Sequence, residues 1–172
     1  SLGVGDSVLS NESTGYSNTA FGDLSLSSET NGYGNTVLGM NAASAQNGSN
    51  NNTVIGYGAR LNATGGSDNV IVGRSAAQTQ GSTNYNIAIG AEAGYASTSS
   101  GTIYIGYQSG RYKNGLQNTA CGHQSQYSGS ATGSANNTSY RNSSFGSWAL
   151  RLVQGGTSHE NSAFGTFALQ TL

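Results

Sequence analysis

Several things are scarce in this chain of 172 residues. There is no proline, so 27 glycines are left to punctuate the backbone. One cysteine, Cys121, excludes a disulfide framework and a cysteine-built metal cluster. Charged residues make up 8%, far below the usual quarter, and the net charge is −1. A nucleic-acid binder needs a basic face to neutralise phosphates, and here only Arg111 and Lys113 are near neighbours among the six cations. No apolar run approaches a membrane span, which excludes membrane insertion through a helix. Seven acids and two histidines are spread too widely to compose an active site, so the chain reads as a non-enzyme without metal or cofactor.

What is present is a repeated word. It reads Asn18-Thr-Ala-Phe-Gly22, Asn35-Thr-Val-Leu-Gly39, Asn52-Thr-Val-Ile-Gly56, Asn69-Val-Ile-Val-Gly73 and Asn86-Ile-Ala-Ile-Gly90. It continues as Thr102-Ile-Tyr-Ile-Gly106, Asn118-Thr-Ala-Cys-Gly122, Asn142-Ser-Ser-Phe-Gly146 and Asn161-Ser-Ala-Phe-Gly165, and a worn copy, Ser1-Leu-Gly-Val-Gly5, opens the chain. The ten glycines are spaced by 17 five times, by 16 twice, then by 24 and 19. Low charge with much Gly, Ser, Thr and Asn suits a disordered tract, but a disordered chain has no reason to keep such a register. A short fixed period predicts a solenoid. The fold expected is all-β: a parallel β-solenoid of about ten coils, occupying residues 1–172 as one repeat domain and cut from a longer array, with a loop insertion around 123–141.

The columns of the repeat assign duties. Before each glycine stand Phe21, Leu38, Ile55, Val72, Ile89, Ile105, Cys121, Phe145 and Phe164, an apolar set expected to form the dry core. The intervening column (Ala20, Val37, Val54, Ile71 and so on) is also apolar or small, so the strand reads as buried on both faces. Asn18, Asn35, Asn52, Asn69, Asn86, Asn118, Asn142 and Asn161 would stack as a ladder of side-chain amides. The glycine marks a corner with positive φ or close backbone approach. Three residues on, small side chains suggest a short second strand, followed by a polar return. The residue just after the glycine is so mixed (Asp6, Met40, Tyr57, Arg74, His123) that it faces solvent. Two apolar faces on one strand call for a cover, which favours several copies around a shared axis.

The word resembles the head repeat of trimeric autotransporter adhesins. It is still more similar to the Asn-Thr-Ala-x-Gly-x-x-Ala-Leu repeats of bacteriophage and other viral tail-fibre proteins, a form carried by residues 18–26, 142–150 and 161–169. That resemblance implies a left-handed β-roll, intertwined or packed as a homotrimer, serving as a rigid extracellular rod that mediates attachment. A virion tail fibre is the location it implies, with other fibre or virion proteins and a host-surface glycan or protein receptor as partners. A bacterial trimeric adhesin head is the alternative. An ice-binding solenoid is a third reading, prompted by the aligned Thr19, Thr36, Thr53 and Thr119.

Specific contacts should sit where the period stretches, because insertions leave a solenoid as loops. Tyr127, Tyr140, Arg141 and Trp148, in or beside the longest stretch, are the candidates for receptor contact. Asp6 and Asp23 share a repeat position one coil apart, which suits a paired-carboxylate hydrolase or calcium, yet two solvated carboxylates on a ridge explain them as well. Cys121 reads as a small buried hydrophobe.

Overall fold

A computed structural model describes residues 1–128, 140–151 and 159–169. Among these, ten strands of three residues each occur: β1 (Leu2–Val4), β2 (Thr19–Phe21), β3 (Thr36–Leu38), β4 (Thr53–Ile55), β5 (Val70–Val72), β6 (Ile87–Ile89), β7 (Ile103–Ile105), β8 (Thr119–Cys121), β9 (Ser143–Phe145) and β10 (Ser162–Phe164). They pair in parallel, in chain order, as one sheet. Each strand meets the next in the same register, Ala20 on Val37 and Val54 on Ile71, so every column of the sequence is a column in space. Ten parallel strands and the nine turns between them make a β-solenoid. At 4.7–4.9 Å per strand the sheet runs for about 45 Å.

The core is not where the long side chains are. The middle residue of each strand points inward: Ala20, Val54, Ile71, Ala88, Tyr104 and Ala120 are fully buried. They pack on small residues three and four places beyond the glycine, including Ala42, Ala43, Ala59, Ala76 and Ala77. The column expected to be the core stands on the outer face. Phe21, Leu38, Ile89, Ile105, Phe145 and Phe164 are exposed, and Ile55, Val72 and Cys121 are half-buried. A three-residue strand turns two side chains to one face and one to the other. The narrow coil takes the single one.

The expected second strand is also absent among the described residues. The backbone after the glycine is a tight turn in which the residues two and four places on adopt left-handed conformations. Leu24 and Leu26 have φ of 60° and 49°, Asn41 and Ala43 of 59° and 50°. Non-glycine residues tolerate this because the neighbouring coils hold them: the Leu24 N–H donates to Asp6 O at 2.9 Å and the Leu26 N–H to Ala42 O at 3.2 Å. The glycine corner itself has φ near +135° in most coils, and a Cβ on Gly73 would lie 2.5 Å from the carbonyl oxygen of Gly90. Glycine is needed there on both grounds.

The asparagine column is buried and bonded from coil to coil. Asn52 Oδ1 accepts from the backbone N–H of Asn69 at 3.1 Å and from its Nδ2 at 2.9 Å, while Asn52 Nδ2 donates to Gly66 O in the next coil's return. The unit repeats from Asn18 to Asn69, and Asn118 to Asn161 carry its Oδ1 half. At Thr102 the hydroxyl takes over, donating to Asn86 Oδ1 at 2.8 Å.

Candidate receptor-contact surface

Much of the interior beyond the strands is polar, which the columns did not foretell. Glu29, Gln46, Gln80 and Lys113 occupy one inward column seven places past the glycine, and all are buried. Glu29 Oε1 accepts from the N–H groups of Gly32 and Gly48, each at 2.7 Å. Arg60 donates to Gln46 Oε1 at 2.8 Å, to Gly66 O at 3.2 Å and to Gly65 O. Burial lowers the Arg60 guanidinium to about 10 and the Lys113 ammonium to about 8. These groups face inward and serve the coil; they offer nothing to a ligand.

The four predicted contact residues fall into two pairs at opposite ends of the strand. Tyr140 and Arg141 precede Asn142. Tyr140 stacks on His159 with ring centroids 5.1 Å apart, and Arg141 pairs with Glu160 at 3.3 Å. Tyr127 and Trp148 lie beyond the glycine corner and meet through a residue the sequence reading passed over. The Arg151 guanidinium sits 3.9 Å from the Trp148 ring centroid and 5.5 Å from that of Tyr127. Residues 129–139, the body of the predicted insertion, lie outside the described residues.

Around that pair the rings continue from coil to coil. Tyr95, Tyr112 and Tyr127 meet edge to face at 6.0 and 6.4 Å, with Arg111 over Tyr112 at 4.7 Å and over Tyr95 at 5.1 Å. Tyr107, His123, Trp148 and Phe167 form a second run at 5.3, 5.5 and 6.2 Å. Beside them Glu92 bridges Arg74 and Arg111, each at 3.2 Å, and accepts from Gln108 at 2.9 Å. Burial works against the Glu92 charge, but the Gln108 hydrogen bond and the two guanidiniums outweigh it and hold the carboxyl below its ordinary value. The neighbours Tyr95–Tyr112 and Tyr107–His123 are visible in the sequence at spacings of 17 and 16. The meeting of two different columns at Trp148 and Arg151 is not.

The remaining candidates have the following surroundings. Asp6 and Asp23 are exposed, and Asp23 Oδ1 accepts the backbone N–H of Asp6 at 2.9 Å, a structural use of the carboxylate. No group of three or more His, Cys, Asp or Glu side chains suited to a metal occurs among the described residues. Cys121 is half-buried, and burial pushes its thiol up, away from the reactive thiolate. No helix among the described residues is long and apolar enough to cross a membrane. No family model, curated protein or solved structure matches the chain.

Proposed function

We propose that the chain is a structural segment of an extracellular fibre, in which three copies pack into a rigid rod used for attachment, as in a viral or phage tail fibre. One observation carries this. The outer face of the sheet presents two continuous columns: Phe21 to Phe164 is aliphatic or aromatic except at Cys121, and beside it Thr19 to Ser162 is threonine or serine but for Val70, Ile87 and Ile103. The coil interior is already filled by the middle column, so this ribbon needs another surface to leave water. Further copies of the same chain, ribbon against ribbon around a common axis, supply a cover of matching length and period. The repeat's resemblance to tail-fibre and adhesin-head words supports three copies and a left-handed coil. An adhesin head of a bacterial surface would use the same geometry.

The test is native mass measurement with crosslinking, and three chains are expected. Ile89→Asp places a carboxylate on the ribbon and should leave folded monomers. A stable wild-type monomer would sink the proposal. Aligned outer threonines favour ice binding as a second reading, but Val70, Ile87 and Ile103 interrupt them; thermal hysteresis in the wild-type rod would bring that reading forward.

A further inference from the structure

Charge is not evenly shared along the rod. Through Asp68 the chain has five acids (Asp6, Glu12, Asp23, Glu29, Asp68) and one cation, Arg60; beyond it come five cations and only two acids, Glu92 and Glu160. The first part therefore carries −4 and the second +3, which together give the net −1. The ring runs described above fall in that positive part. Of its cations, Arg74 and Arg111 are tied to Glu92 and Arg141 to Glu160. Lys113 is buried. Arg151 is different: among the described residues no carboxylate or carbonyl engages it, and it is held against Trp148 and Tyr127.

An arginine held on aromatic faces, with no carboxylate or carbonyl on it among the described residues, is suited to an anion, since the planar guanidinium loses little freedom when it engages an oxyanion. The surrounding rings are spaced by one coil, a repeat commensurate with a linear polymer of six-membered rings. Tyr and Trp offer apolar faces to such rings and polar tips to their hydroxyls. Gln108 and Gln124, joined at 2.6 Å, add amides beside them. We propose that the surface formed by Tyr112, Tyr127, Trp148 and Arg151 binds an acidic polysaccharide, with an anionic substituent on Arg151 and sugar rings along the aromatic runs. The inference deepens the attachment reading and rests on it. A nucleic acid carries a charge on every nucleotide and asks for more cations than Arg151 alone supplies, whereas an acidic polysaccharide can carry its charge on alternate sugars.

The experiment measures binding of the purified chain to immobilised hyaluronan, chondroitin sulfate, dextran and oligodeoxythymidine, with the oligomeric state determined in parallel. Binding to hyaluronan or chondroitin sulfate, weakening as salt rises, is expected, with none to dextran. Arg151→Ala should weaken binding about tenfold, the scale of one charge-assisted hydrogen bond, and Arg151→Lys should recover part of it. Tyr16→Ala, on a different column at the acidic end, should change nothing. Failure to bind either acidic glycan overturns the proposal, as does equal binding to dextran, tighter binding to the oligonucleotide, or indifference to Arg151→Ala. A trimer that binds none of these polymers defeats this inference and leaves the rod standing. A monomer that binds hyaluronan through Arg151 does the reverse.

Discussion

Single residues in this coil are judged by the space their neighbours leave. Four places past the glycine, Leu26, Ala43, Arg60 and Ala77 all accept φ near 50°, so Gly94 and Gly110 in the same column are not there for their backbone freedom. They are there for Tyr104: a Cβ on Gly94 would lie 3.0 Å from its ring, and one on Gly110 would fall inside it. Gly110→Ala should therefore destabilise by about 2–3 kcal/mol, the scale of overpacking, and Tyr104→Ala by about 3–5 kcal/mol as a cavity. The double mutant should cost clearly less than the sum, and urea titration of the four proteins measures that coupling. Gly73→Ala has no such partner to trade with. Its Cβ meets backbone at an unfavourable φ, and a loss of about 3 kcal/mol or more is expected. Asn52→Ala removes four hydrogen bonds from a buried ladder and should lower stability by about 2–4 kcal/mol in the same assay.

At the level of the coil, the period, the glycine corner and the register of the asparagines were legible because each is a single letter repeated at fixed spacing. The face of the strand was not. Both columns of β4 are apolar, Val54 as much as Ile55, and hydrophobicity cannot say which enters a coil too narrow for the longer side chain at every level. The tight turn was illegible for another reason: its left-handed positions are held by Leu, Asn, Ala and Arg, which announce nothing. Nor did polarity reveal that Glu29 and Lys113 point inward. The buried column makes the coil sensitive to pH. Lys113, lowered from 10.5 to about 8, binds fewer protons folded than unfolded in that window, so stability should rise as pH rises from 8 to 10.5, by up to about 3 kcal/mol. Burial pushes the Tyr104 phenol from 10 up to about 12, with Ser97, Thr102 and Asn118 pulling the other way. The folded state then holds a proton the unfolded chain has lost, and stability falls between pH 10 and 12. Above pH 10 the buried Arg60, lowered to about 10, adds a rising contribution that opposes the Tyr104 fall, so thermal melts should climb from pH 8 to 10 and level off beyond it. Lys113→Met should flatten the climb, and Tyr104→Phe should let it continue above pH 10.

Over the whole molecule the proposed assembly gives the inner face of each strand to folding and the outer face to packing between copies, and adjacent residues test that division. Val54 is sealed inside the coil and Ile55 lies half-buried on the outer ribbon. Val54→Asp should unfold the coil, since an unpaired buried carboxylate costs several kcal/mol. Ile55→Asp should spare the far-ultraviolet circular dichroism and shift the native mass from three chains to one. If the two variants behave alike, the division fails. The aromatic and cationic surface belongs to neither face. It follows the turn columns of the positive half, apart from the residues that fill the coil and those on the outer ribbon.

The unbroken chain order of the strands has a kinetic side. Parallel sheets ordinarily fold slowly because their pairings join distant stretches of sequence. Here each pairing through β6 spans 17 residues of 172, a relative contact order of about 0.1, in the range of helical bundles. Each new coil needs only the one before it as a template, so ordering can start at any level and propagate in both directions. The pairing between β8 and β9 spans 24 residues and is the widest step in that propagation. Propagation should pause there, and pulse-labelled hydrogen exchange should find Leu2–Cys121 protected before Ser143–Phe164.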